Sequence, residues 1–150
     1  MKQEFPYHKQ ESSYTCGAAS MRMALEYLGI KRSEKQVARL LGTNKVKGTW
    51  EKEFPKLAER YRLSYVVNHR GAISDLKRLN KKGYVIIICF HHPVDKIDHY
   101  SVIREIAEGK IHLYDPWKGP DSVYKLSYFD KIWRTEQEKD LRWLIAIKKL

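Results

Sequence analysis

Cys16 is the residue around which chemistry is most readily built in this chain. It follows a polar, turn-prone stretch, Gln10 to Thr15, and precedes Ala19, Met23, Leu25, Tyr27 and Leu28, whose spacing predicts an amphipathic helix stopped by Gly29 in a left-handed conformation. A cysteine at a helix N-terminus lies beside unpaired amide N–H groups and the positive end of the dipole, which favour the thiolate, the nucleophilic form. A free thiol titrates near ~8.5, so it also needs a neighbouring imidazolium to ionise at neutral pH. His99, in IDHYSVIRE, and Asp115, in IHLYDPWKG, supply a base and a group to orient it. Gln10, six positions before the cysteine, can donate its side-chain amide, together with the Cys16 backbone N–H, to the oxygen of a carbonyl under attack. Gly17 lets a substrate backbone come close, and Tyr14, Tyr100, Trp117 and Trp50 are candidates to line a groove.

Each of these residues also has a purely structural reading. Free cysteine is commonly a small buried hydrophobe, a histidine beside a strand is usually a satisfied structural residue, and Asp-Pro is a common turn opening. His91, His92 and His99 with Asp95 and Asp98 invite a metal reading, but the short paired spacings of metal sites are missing, so neither metal nor cofactor is expected. Cys89, the other cysteine, lies in the apolar run Tyr84 to Phe90 and reads as core; a Cys16–Cys89 disulfide is arithmetically open but not favoured.

The ordered set resembles the C39 peptidase family, papain-like domains best known at the N-terminus of bacteriocin-exporting ABC transporters. The resemblance rests on Gln10, then Cys16-Gly17-Ala18-Ala19 opening a helix that ends in Tyr27-Leu28-Gly29, on His99-Tyr100-Ser101-Val102 in a strand, and on Asp115-Pro116 ending the next. It implies a cysteine endopeptidase with Cys16, His99 and Asp115 as triad and Gln10 in the oxyanion hole, cleaving leader peptides after Gly-Gly or Gly-Ala. It also implies a peptide partner, often acidic; where this chain departs from the best-known members is that the transporter's membrane and ATPase parts are not expected in it. The alternative within the same resemblance is a catalytically weak peptide-binding module.

The chain has 150 residues and 43% hydrophobic residues, consistent with a single domain over 1–150 and one proper core. Its net charge of +11 favours acidic partners. Nucleic acid is the lesser reading, because the basic run Lys77 to Lys82 also reads as a solvated helix end and no recognition motif accompanies it. The start lacks the basic-then-apolar pattern of a secretory signal, and no stretch of ~18 apolar residues occurs, so a cytoplasmic protein is expected.

The elements that must position these residues change character midway. An extended lead-in over 1–9 is followed by the Cys16 helix, a second helix with Ser33 and Gln36 as capping box and Gly42 as stop, and a third from Thr49 carrying Trp50, Phe54, Leu57 and Ala58 inward. Pro55 argues for a break or late start in that third helix. Strands are then expected at 63–67, 84–90, 100–105, 110–114 and 141–148, with helices at 74–81, capped by Ser74, and 127–133, and a hairpin turn at Glu108-Gly109. Helices first and a mostly antiparallel sheet afterwards is an α+β pattern, a helical lobe packed on a sheet lobe with the site in the groove between them.

Overall fold

The computed structural model, described over residues 4–150, runs α1 (Cys16–Tyr27), α2 (Glu34–Leu40), α3 (Glu53–Arg60), β1 (Ser64–Asn68), α4 (Ile73–Lys81), β2 (Val85–His91), β3 (Asp98–Ala107), β4 (Lys110–Asp115), β5 (Gly119–Lys125), α5 (Leu126–Ile132) and β6 (Leu144–Lys148). The first three residues of the expected lead-in lie outside the described residues. The strands form one six-stranded antiparallel sheet in the order β1-β6-β2-β3-β4-β5.

The uninterrupted apolar runs of β2 and β6 have a direct cause. Successive side chains of a strand point to opposite faces, and both faces of this sheet are covered. Val85, Ile87 and Cys89 with Ile145 and Ile147 face a core shared with α1, α2 and α3, while Ile86, Ile88 and Phe90 with Leu144 and Ala146 face a second core. That second core is closed by Leu76 and Leu79 of α4 and Phe129 of α5, with Trp133 just beyond. Two helices thus back the sheet on the face away from α1, where the sequence pattern suggested only a helical lobe set against a sheet lobe.

Helix ends follow the expected chemistry in most places. The Ile30 N–H donates to the Leu25 carbonyl at 2.8 Å and the Gly29 N–H to Glu26 at 3.0 Å, with Gly29 at φ 91°, which is the Schellman stop of α1. Ser33 and Gln36 form the reciprocal capping box of α2. Helix α3 begins at Glu53 rather than Thr49, which leaves Trp50 half-buried ahead of it with Lys47 Nζ 5.4 Å over its ring. Pro55 then occupies the third helical position, whose N–H has no intrahelical acceptor, so it costs α3 nothing. Ala72, not Ser74, is the N-cap of α4, and its N–H donates to Asp75 Oδ2 at 2.8 Å. The edge strand β5 was not expected; its Gly-Pro opening and exposed Val123 hide it from a pattern reading. The Glu108-Gly109 turn takes positive φ at both residues, 53° and 74°.

Candidate active site

Cys16 is the first residue of α1, half-buried, with a free thiol. The N-cap, Thr15, makes no side-chain bond to the helix. Its hydroxyl is instead bonded to Ser12, accepting the Ser12 N–H at 3.1 Å, so that the N-cap side chain does not cap the amide groups at the cysteine's end of α1. This leaves the positive helix terminus without a side-chain cap, open to an anion.

His99 enters near the start of β3 and is 4% exposed. Its Nε2 stands 2.6 Å from Asp115 Oδ1, and Cys16 lies close enough to act on its charge. Asp115, the last residue of β4, is fully buried, and the same Oδ1 accepts the N–H groups of Trp117 at 2.8 Å and Lys118 at 3.0 Å. Burial by itself disfavours a charged ring, but the Asp115 hydrogen bond and the Cys16 thiol outweigh it and push the His99 pKa up to about 10. Burial likewise works against an ionised Asp115, yet the bond to His99, its charge and the two backbone N–H groups hold the carboxyl below its ordinary range.

Gln10 is 6% exposed. Its backbone N–H donates to the Pro116 carbonyl at 2.8 Å, which fastens the approach loop to the turn after Asp115. Its Nε2 donates to the Ser12 carbonyl at 2.7 Å; an amide nitrogen carries two hydrogens, so one anchors the side chain and the second remains to be aimed. Two further anchors escaped sequence reading. The Tyr7 hydroxyl donates to the Asp115 carbonyl at 2.6 Å, and the buried Glu34 carboxylate accepts the Glu11 N–H through both oxygens at 3.1 Å. Tyr7 reads from the sequence as part of a lead-in, and nothing in the sequence marks Glu34; the tertiary fold alone shows these two contacts.

A cavity of about 210 Å3 opens beside Cys16, lined among others by Tyr14, Thr49, Asp98, Tyr100 and Glu138. Tyr100 is 5% exposed and its hydroxyl donates to the Thr49 carbonyl at 2.7 Å, whereas Tyr14 is open to solvent. Gly17 is buried, and a Cβ there would meet Thr49 Oγ1 at 2.9 Å and Tyr100 Cδ2 at 3.0 Å, so its missing side chain makes room for packing. Trp117 is exposed on the turn after Asp115 and Trp50 stands before α3; neither lines the cavity. The other histidines have partners of their own: His91 with Asp98 at 3.1 Å, and His92 Nδ1 accepting the Val94 and Asp95 N–H groups, so these residues do not converge with His99 on one ion. The basic run at the end of α4 is exposed apart from Leu79 and Asn80, and Arg78 pairs with Asp75 at 3.1 Å.

The profile of the Peptidase_C39 like family matches residues 2–141. The chain belongs to this family. An uncharacterized protein of Methanothermobacter marburgensis is 29% identical over 140 residues, covering 88% of this chain and 89% of its own. Among solved structures, the peptidase domain of Streptococcus ComA, a bi-functional ABC transporter involved in quorum sensing, superposes with a TM-score of 0.77 at 17% identity, covering 98% of this chain and all of that one. A double glycine motif protease from an AMS/PCAT transporter, solved in complex with its leader peptide, superposes with a TM-score of 0.76 at 24% identity, covering 97% and 91%. The fold is therefore that of C39 peptidase domains, with the helix-borne cysteine on one side of the site and the strand-borne histidine on the other. Among the described residues, no helix is long and apolar enough to cross a membrane.

Proposed function

We propose that residues 1–150 act as one domain, a cysteine endopeptidase that cleaves after small residues of the Gly-Gly or Gly-Ala type through Cys16, His99, Asp115 and Gln10. The observation that carries this reading is the buried His99 bonded to the Asp115 carboxylate at 2.6 Å, with Asp115 and Cys16 both acting to raise its pKa. Its raised pKa favours a thiolate–imidazolium pair. The thiolate attacks the peptide carbonyl carbon, and the negative charge moves to the carbonyl oxygen. Gln10, through its second amide hydrogen, and the Cys16 N–H receive that oxyanion. Collapse breaks the C–N bond, His99 gives its proton to the leaving amine, and the chain remains acylated at sulfur. Neutral His99 then takes a proton from water, whose oxygen displaces the thiolate and releases the acid.

The small-residue preference is supported by the likeness to a double glycine motif protease, and an acidic peptide substrate by the +11 charge. Two free thiols suit a reducing, cytoplasmic setting. The test is incubation under reducing conditions with double-glycine peptides and a general peptide library, read by mass spectrometry. Cleavage C-terminal to small residues, lost in Cys16→Ala, is the expected result; a protein that leaves both uncut overturns the reading. Alkylation of Cys16 by iodoacetamide across pH, in a Cys89→Ala background, separates the two explanations of such a failure. A thiol reacting well below ~8.5 only when His99 is present marks a primed site, and an ordinary thiol marks a binding module.

A further inference from the structure

Glu51, His69 and Asp140 come from three connections that the sheet gathers at one place: the segment before α3, the residue after β1, and the loop leading into β6. One donor atom from each, a carboxylate oxygen of either acid and a ring nitrogen of His69, lie within 4.8 Å of one another. His69 Nδ1 and Asp140 Oδ2 are 2.7 Å apart, an ordinary ion pair at the surface. Glu51 is the member that this pairing does not explain. It is 4% exposed, and its Oε2 is buried without a hydrogen-bond partner. A buried carboxylate oxygen without a donor is costly, and the acids that act on it, Asp140, Glu138 and Asp98, add to the cost. Glu138 does not relieve it either: its carboxylate is an acceptor, and it receives the Glu51 backbone N–H at 3.0 Å.

We propose that Glu51, His69 and Asp140 bind one divalent transition-metal cation, Zn2+ being the best fit. One imidazole nitrogen with two carboxylates is a donor set for Zn2+ and its neighbours, whereas Ca2+ and Mg2+ prefer oxygen alone. Three protein ligands leave a position for water, and the His69 side chain, 63% exposed, gives the ion a route from solvent. Adjacent ligands about a tetrahedral Zn2+ stand roughly 3.3 Å apart at bonds of ~2.0 Å, so the ion's entry moves His69 outward by about half an ångström. That is an easy displacement for an exposed ring.

The place of the site in the fold gives the ion a structural role. Thr49, close to Glu51, and Glu138, close to Asp140, both line the cavity beside Cys16. A cation shared by Glu51 and Asp140 straps these two walls to each other and to the end of β1. It takes no part in acyl transfer, and the proposal does not rest on the peptidase reading.

The test uses the full chain as Cys16→Ala, because a thiol beside an imidazole binds zinc itself. Equilibrium dialysis against ZnCl2 near neutral pH, read by atomic spectroscopy, is combined with the melting temperature. The expected result is one tightly held equivalent and a rise of several degrees, both lost in His69→Ala and in Glu51→Gln. His69→Ala changes an exposed side chain, so its metal-free melting temperature reports that it folds. Absence of saturable binding by the parent, or the same equivalent retained in either variant, overturns the proposal. The Glu51 and Asp140 carboxyls are then joined by a shared proton instead.

Discussion

His99 Nε2 and Asp115 Oδ1 stand 2.6 Å apart at a depth where neither side chain meets more than a trace of solvent. A charge-assisted bond in that setting is stronger than one in water, and it fixes the ring with Nδ1 left free of Asp115. The turn after β4 preserves this geometry, since Tyr7 holds the Asp115 carbonyl and Gln10 holds that of Pro116.

Asp115→Asn keeps the shape and removes the charge. The amide oxygen can still accept the Trp117 and Lys118 N–H groups, so the turn survives. The imidazolium loses its counter-ion, and peptidase kcat is expected to fall by less than in Cys16→Ala and to stay short of the ~10⁴-fold loss that the corresponding change causes in a serine triad. Steady-state kinetics on a cleaved peptide, with circular dichroism as the check on folding, decides this.

Stability should depend on pH through His99. Its folded pKa, about 10, lies above the ~6.5 of an unfolded histidine, so the folded state binds the proton more tightly. The contribution is fully present below ~6.5 and is lost as pH rises through about 10. Asp115, shifted downward, contributes in the opposite sense: its share is present above ~3.9 and is lost as pH falls through the folded value. Urea midpoints for the wild-type protein and His99→Gln should therefore converge between pH ~6.5 and about 10. Curves that stay parallel over that range would show that the pair contributes no proton linkage.

Gln10, Cys16, His99 and Asp115 are legible in the sequence only as an ordered set, because each by itself also has a structural reading: a turn residue, a buried thiol, a strand histidine and an Asp-Pro turn opening. Long-range consequences were harder to see. The edge strand β5 opens with Gly-Pro and exposes Val123, so neither propensity nor alternation marks it. With Trp50 read as inward, the third helix is expected from Thr49, four residues before its start at Glu53, because an inward aromatic looks the same in a loop. Glu34, Tyr7 and the Glu51, His69, Asp140 group depend on contacts across at least 18 residues of chain, which no periodicity records.

Gln10→Ala separates anchoring from catalysis. The backbone bond to Pro116 does not need the side chain, so the loop should keep its place while the oxyanion donor is lost. Removal of one such donor typically costs on the order of 10²- to 10³-fold in kcat. The expected result is that loss with KM nearly unchanged and with Cys16 alkylation as fast as in the wild type. A change in KM alone would assign Gln10 to substrate binding and leave the oxyanion to backbone groups.

Gly17→Ala tests whether the glycine beside the nucleophile serves packing or substrate approach. Its new Cβ would lie 2.9 Å from Thr49 Oγ1, 3.0 Å from Thr49 Cβ and 3.0 Å from Tyr100 Cδ2. Thr49 cannot simply turn away, because its hydroxyl is bonded to Thr43 at 2.6 Å and its carbonyl accepts the Tyr100 hydroxyl. Overpacking of a tight core typically costs ~1–3 kcal/mol. A lower urea midpoint of that size, together with slower Cys16 alkylation as the helix start is displaced, is expected. Unchanged stability with a raised KM would mean that Thr49 and Tyr100 yield, and that the open face of Gly17 belongs to the substrate.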